Sequence, residues 1–557
     1  MLSIKNMTPN FRWTPVLIVV FTAIFRLWFL TIKPPHFDEG VNGWFIDEMA
    51  KTGFYHYDPG NYHGPLHFYI LFFFQRLFGR SLWSIRLPIV IISTLTVYLV
   101  TKFDRFLDRR TCLLAALAMA VSPGVEFYGR YAIHESSFVF FLILTVWGAF
   151  GIRRFGHVRY LWAAALGLTG LILTKETYII HVVAFGLAIP CLWIVEKIRP
   201  SSRAFPPLQD PYSTSQLCAV AVVCAGLIIF FYSGAFLDFP GLQGIYLTFS
   251  EWAKTGREGH GHEKTDYDIV LTTLQFTLGK REIAHPVIAN YYWLALMARY
   301  EWPALLGLAV TPLFVWPLRN RLIRYLAIYG WGALAAYTII HYKTPWCVIT
   351  IIWPFFFVFG EFVKEMSDLI RKSVLDPLAR NRAAIAPLAC ALLLLAGSLA
   401  LAVRLNFRHY TDEDEPYVYV QTFKDIDKLT KPLFKLVAED PSNYQLRGNV
   451  VLGSYHPLPW VLGDFTNIGW YDDTRSPDAT DADFLLVDKA RVEEIEKGLK
   501  HEYITESLRL RGSMDPSKLY FSYEKFHQLF PDKKADFIPG KQPPPKPKDA
   551  DSDEDPQ

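Results

Sequence analysis

Charged side chains are scarce in this chain. Of its 557 residues only 20% are Asp, Glu, Lys or Arg, and the formal net charge is +3. That shortage excludes a disordered chain, a coiled coil and a basic nucleic-acid-binding protein. It also leaves no overall field to recruit an acidic partner. Cysteine is scarce as well. Cys112, Cys191, Cys218, Cys224, Cys347 and Cys390 all fall in or beside apolar runs, and none lies in the polar C-terminal part. A disulfide framework is therefore excluded there. That part also has no phosphate loop and no dinucleotide fingerprint. What is abundant is apolar surface: 52% hydrophobic and 16% aromatic residues, with a mean hydropathy of +0.18. Such a blend fits a membrane part of about 400 residues joined to a polar part of about 150.

The first apolar run, Trp13 to Ile32, has the roughly 20 residues needed to cross a bilayer. It lacks a signal-peptide cleavage site and carries Arg26, so it reads as a retained span. Further runs lie at 84–101, 111–125, 136–152, 160–174, 177–195, 217–237, 302–317, 323–341, 346–363 and 383–403. The expectation is about eleven transmembrane helices. Alternate short loops are basic: Lys102, Arg105, Arg109 and Arg110; Arg153, Arg154 and Arg159; Lys197, Arg199 and Arg203; Arg319, Arg321 and Arg324; Lys364, Arg371, Lys372, Arg380 and Arg382. The positive-inside rule makes these loops cytoplasmic. The N-terminus is then cytoplasmic. Long loops 33–83 and 238–301 and the C-terminal part face out, into the periplasm if the membrane is a bacterial inner membrane. Within the first outer loop, Leu66 to Phe78 is apolar but too short to span, and it reads as interfacial.

The expected organisation is a transmembrane domain at 1–403, an extracytoplasmic α/β domain at 404–540, and a Pro- and acid-rich tail at 541–557 that cannot bury enough apolar surface to fold. In the α/β domain, strands are expected at Asn449–Gly453, Asp483–Val487, Tyr503–Leu510 and Leu519–Tyr523, and helices at Phe423–Val437 and Lys489–Leu499.

Several residues carry chemistry. Asp38 and Glu39, in HFDEG, follow the first span at headgroup depth beside Gly40. A carboxylate held there suits general-base work on an acceptor hydroxyl; the bland alternative is a solvated loop. The run GFYHYDPGNYHGP brings Tyr55, Tyr57, Tyr62 and His63, either as an aromatic belt or as a platform for a sugar ring. Arg130, Lys175 and Lys343 each flank a span on the outer side. Any one of them alone reads as a snorkelling anchor. Together they suggest a bound anion such as a lipid-linked phosphate. Glu126, His134, Glu135 and Glu176 accompany them, and Arg26 is expected to pair within the bundle. No cofactor is required by this set. Two metal options stay open as alternatives. One is a transition metal at His260 and His262, beside Glu258 and Glu263. The other is a divalent cation at Asp38 and Glu135.

The succession HFDEG, HGPLHFYI, LFGRSLWSIRLP, YGRYAIHES and LTKE resembles the GT-C membrane glycosyltransferases, in the branch of protein mannosyltransferases and the lipid A aminoarabinose transferase. HYKTPW, SYHPLPWVLGD and GWYDD are similar to the flippase activity-associated protein family of archaeal-type N-glycosylation. The resemblance implies an α-helical polytopic GT-C-like fold and a polyprenyl-phosphate sugar donor. It implies inverting transfer to a glycan, lipid or protein acceptor on the outer face. It aligns Asp38 with the catalytic acid of the first loop and Glu39 with its neighbour. By position, Arg130, Lys175 and Lys343 become donor-phosphate contacts, and Tyr55, Tyr57, Tyr62, His63 and Glu135 substrate contacts. The chain departs where many relatives carry an aspartate after the YGRYA-like segment: it has His134 and Glu135. The rival expectation is a non-catalytic factor for lipid-linked oligosaccharide flipping or cell-envelope glycan assembly. A third is a structural partner whose outer domain binds another protein. Membrane lipids are partners in each reading and nucleic acid in none.

Overall fold

The computed structural model describes residues 13–198, 200, 212–258, 285–315, 320–340, 343–373, 376, 382–512 and 514–540. His260, His262 and Glu263 lie outside these residues, as do the side chain of Glu258 and the tail 541–557. The chain forms two compact units, Met1–Gln421 and Thr422–Gln557. Residues 404–421 thus belong to the first unit, beyond the expected boundary at 403. Tyr410, Tyr417, Val418 and Tyr419 are buried in its core.

The first unit is helical. Helix α1 (Thr14–Leu27) leads through an irregular link to α2 (Phe37–Thr52), and α3 (Leu66–Phe78) and α4 (Leu82–Thr101) follow. Next come α5 (Arg109–Val121), the short α6 (Pro123–Tyr128), and the hairpin α7 (His134–Phe155) and α8 (Val158–Thr174). Then come α9 (Tyr178–Ile198), α10 (Thr214–Tyr232), α11 (Gly244–Glu258), α12 (His285–Tyr300), α13 (Trp302–Val315), α14 (Arg321–Ile339), α15 (Val348–Ser373) and α16 (Ala386–Phe407). Every apolar run read from the sequence falls on one of these helices. Six stretches among the described residues are both long and apolar enough to span a membrane: 82–105, 134–155, 178–198, 214–232, 345–373 and 386–407. The protein is multi-pass. The expected count of eleven is not reached on this measure: α1, α8 and α13 are shorter apolar helices, and α5 and α14 are not among the six. Helix α15 is the hub. Its residues Val348 to Gly360 are all buried, so this apolar segment packs against protein rather than lipid.

Two local devices place the site. The polar sequence of α2, expected to be loop, folds because its N-terminus is doubly capped: the His36 ring accepts from Asp38 N–H, and Glu39 accepts from His36 N–H at 2.9 Å. Gly53, at φ +88°, ends the helix in the left-handed region. The α7–α8 hairpin is close-packed through glycines: a Cβ on Gly167 would stand 2.5 Å from Thr145, and one on Gly170 2.2 Å from Phe141. Small residues of this kind let apolar helices approach where the bilayer gives no hydrophobic drive.

The second unit carries a five-stranded mixed sheet, ordered β2-β1-β3-β5-β4. Its strands are β1 (Arg447–Val451), β2 (Asn467–Tyr471), β3 (Phe484–Val487), β4 (Tyr503–Leu508) and β5 (Ser517–Ser522). Strand β1 is parallel to β2 and β3, while β5 is antiparallel to β3 and β4. Four strands match the expected ones; the edge strand β2 was not expected. Alternation covers both faces: Phe484 and Leu486 meet Leu429 and Leu433 of helix α17 (Ile426–Glu439), while Leu485 and Val487 meet Ile495 and Tyr520.

Candidate active site

The first unit holds a cavity of about 350 Å³ whose wall includes Asp38, Tyr62, His63, Lys175, Trp293 and Trp346. Its parts come from segments far apart in sequence. The strongest constraint is Arg86, buried on α4. Its Nε and Nη2 donate to the Glu39 carboxylate at 2.7 and 2.6 Å, and its Nη1 donates to the carbonyls of Leu30 and Lys33 at 2.9 and 3.0 Å. One guanidinium thereby ties the α1–α2 link to the start of α2. Glu39 also accepts from the N–H of Ala132 at 2.8 Å and is fully buried. Burial pushes its pKa up, but Arg86 and the two N–H groups outweigh that and hold it below the usual carboxylate value.

That anchorage leaves Asp38 one residue earlier, in the first turn of α2, with its side chain 34% exposed and on the cavity wall. Glu39, expected beside it as a second catalytic acid, does not line the cavity; its oxygens are taken by Arg86 and backbone N–H groups.

The opposite wall is stitched by Gly64, whose N–H donates to Thr174 O at 3.1 Å, beside an antiparallel bridge between His63 and Lys175. A Cβ on Gly64 would stand 2.3 Å from the Leu173 carbonyl, so no other residue fits this crossing. His63 Nδ1 lies 2.9 Å from Glu176 Oε2, and Lys175 Nζ donates to Glu135. Burial works against the Lys175 charge, yet Glu135, Cys347 and Glu176 hold its pKa well above the ordinary lysine value. Behind His63 the rings of His134 and His67 follow at 4.5 and 4.0 Å. Tyr62 keeps a left-handed backbone, φ +43°, and lines the cavity. Such strain in a non-glycine residue persists where the surroundings over-determine it.

The structure brings together Asp38, Tyr62, His63 and Lys175, with Glu135 one contact behind. It does not bring the rest to the cavity wall. Tyr55 is buried against Phe68, with ring centres 4.5 Å apart, and Tyr57 packs on Tyr232. The Lys343 ammonium donates to the carbonyls of Tyr337, Thr338 and Ile340, at the C-terminal end of α14 where a cation is favoured. Nη2 of Arg130 donates to the carbonyls of Trp28 and Phe29 at 2.7 and 2.8 Å. The expected convergence of the three cations is therefore met by Lys175 alone. Sequence reading missed Arg86, whose position inside an apolar helix was the available signal, and the wall residues Trp252, Trp293 and Val420, for which no signal existed. Among the described residues no three His, Cys, Asp or Glu side chains gather as a metal site.

The arrangement offers one partly exposed carboxylate, one ammonium and one imidazole backed by a carboxylate, on an aromatic wall. Residues 62–201, which include Tyr62, His63, Glu135 and Lys175, match the family model of dolichyl-phosphate-mannose-protein mannosyltransferases. No curated protein matches the chain. The fold is similar to that of ArnT from Cupriavidus metallidurans bound to undecaprenyl phosphate, with TM-score 0.55 and 12% identity over 91% of this chain and 97% of that one. The apo state of the same enzyme gives TM-score 0.52 and 11% identity over 92% and 98%. An oligosaccharyltransferase from Archaeoglobus fulgidus is a looser match, with TM-score 0.48 and 12% identity over 91% and 73%. At these identities the likeness is one of fold, and the fold is ArnT-like.

Proposed function

We propose that the protein is a GT-C membrane glycosyltransferase that moves a sugar from a polyprenyl-phosphate carrier to an acceptor on the extracytoplasmic face. The single observation carrying this reading is that Asp38 shares one cavity with Lys175 and His63. The mannosyltransferase family match over 62–201 and the likeness to an undecaprenyl-phosphate-bound ArnT support the donor class. The alternate basic loops support an inside N-terminus, which puts the cavity and the C-terminal unit on the outer side.

In this mechanism Asp38 accepts the proton of the acceptor nucleophile. The nucleophile attacks the anomeric carbon as the bond from that carbon to the phosphate oxygen breaks. Lys175, kept charged by Glu135, and His63, oriented by Glu176, stabilise the charge that develops on the leaving phosphate. Direct displacement inverts the anomeric carbon. The Trp293, Trp346 and Tyr62 rings offer apolar faces to the sugar's C–H surface.

The alternative is lipid-linked oligosaccharide flipping, the role suggested by the similarity of HYKTPW and PLPW to flippase-associated proteins. The buried Arg26–Glu126 pair, with Nε to Oε2 at 3.1 Å, favours it to a degree, because charge inside a bundle marks transport paths. Reconstitution in liposomes with a panel of polyprenyl-phosphate sugars separates the two readings. Sugar transfer without translocation is the expected result. Translocation without transfer under any donor would replace this reading by the transport one.

A further inference from the structure

A second feature of the first unit lies apart from the cavity. A groove of about 530 Å³ runs between α1 and α16, lined by Phe21, Phe25, Trp28, Phe29, Val403 and Phe407 among others. It shares no lining residue with the cavity. Its wall is apolar and open: Trp28 is 59% and Phe29 62% exposed. Phe29 holds a left-handed backbone, φ +46°, a conformation that costs a bulky residue energy and presents its ring outward.

Charge lies directly behind the groove wall. The Arg130 guanidinium stacks on the ring of Phe407 at 4.6 Å, and its Nη2 donates to the carbonyls of Trp28 and Phe29. Three of its immediate partners are therefore groove residues. Arg130 is fully buried, and its Nε and Nη1 have no hydrogen-bond partner. Arg26 is in the same state: only its Nε is engaged, by Glu126, while Nη1 and Nη2 have no partner. Lys33 lies nearby over the Phe127 ring, and burial followed by the charges of Arg130 and Arg86 depresses its pKa well below the lysine norm. Among the described residues, the guanidinia of Arg26, Arg86 and Arg130 face the carboxylates of Glu39 and Glu126. An excess of buried, incompletely bonded positive charge is costly unless an anion joins it.

We propose that this groove is a binding site for an anionic phospholipid, its phosphate headgroup drawn to Arg130 and its acyl chain laid along the aromatic wall of α1 and α16. The apolar length suits a chain, and the Arg130 guanidinium, with Nε and Nη1 unbonded, suits a phosphate. The site is separate from the transfer reaction and does not depend on it. It also gives Arg130 an anion partner, as the sequence suggested, though away from the cavity.

Trp28 is a built-in reporter. The delipidated full chain is titrated with brominated phosphatidylglycerol, brominated phosphatidylcholine and inorganic phosphate. The Trp28 signal is the difference between the parent protein and Trp28→Phe. The expected result is quenching of that signal by brominated phosphatidylglycerol at roughly fivefold lower lipid content than by the zwitterionic lipid, or lower still, given the gain per basic residue near an anionic headgroup. Arg130→Gln should remove the preference. If that variant does not fold, the parent titration alone decides. Equal quenching by the two lipids would overturn the proposal and leave an ordinary lipid-facing surface. A melting shift with inorganic phosphate equal to that with phosphatidylglycerol would overturn it in favour of a free-anion site.

Discussion

The first turn of α2 has a closed side and an open side. On the closed side, Glu39 is fully buried and bonded to Arg86 and to the N–H groups of His36 and Ala132. On the open side, Asp38 has one-third of its side chain exposed and looks into a cavity shared with Lys175 and His63. The two residues are adjacent, chemically alike and indistinguishable by composition. What separates them is how much of their bonding capacity the fold has already used. A carboxylate with every lone pair engaged holds structure; one left partly free is available to a substrate. The same contrast divides Lys175, on the cavity wall, from Lys343, committed to the end of α14.

The largest break in this comparison comes from the closed side. Arg86→Gln leaves Glu39 buried without its partner charge, a change worth about 3–5 kcal/mol. The variant should lose most of its folded yield, or melt far below the parent in detergent. An unchanged melting temperature would mean that Glu39 is not held as described. Gly64→Ala tests the stitch across the cavity. The added Cβ meets the Leu173 carbonyl, so His63 must move away from Lys175, with an overpacking cost of about 1–3 kcal/mol. The protein should stay folded with transfer reduced more than stability, and parental transfer would detach that crossing from the site. Lys343→Ala should do least. It removes a buried cation bonded to three carbonyls at a helix C-terminus, up to about 2 kcal/mol, with a modest fall in melting temperature and transfer close to parental. A loss of transfer as deep as that of a cavity residue would return Lys343 to the donor site.

Much of the architecture was legible because the bilayer and the pleat impose strong patterns. Apolar runs of spanning length mark the helices, and the unbroken apolar run Phe484–Val487 marks a strand buried on both faces. Helix α2 was not legible. FDEGVNGWFIDEMAKT has no apolar stripe, and its cap uses a histidine, His36, rather than the usual Ser, Thr, Asp or Asn. Strand β2 was missed because it lies at the sheet edge, only partly buried and interrupted by Gly469. For the site, loop charge gave only the expectation that Arg130, Lys175 and Lys343 share one side of the membrane. It did not tell which way each points around the bundle. That depends on long-range contacts such as Arg130 with Trp28 and Lys175 with Glu135, and a one-dimensional pattern carries no such information.

The most direct test of the account sets the two adjacent carboxylates against each other. Asp38→Asn and Glu39→Gln are each reconstituted with the preferred polyprenyl-phosphate sugar, and transfer rate and melting temperature are read on the same preparations. The account predicts opposite patterns. Asp38→Asn should melt near the parent and lose about 10²–10⁴-fold in transfer, the usual contribution of a positioned base. Glu39→Gln should lose stability first, because it leaves the Arg86 charge without its counter-ion, and should transfer in proportion to the protein that remains folded. Parental transfer by a well-folded Asp38→Asn protein would contradict the central claim.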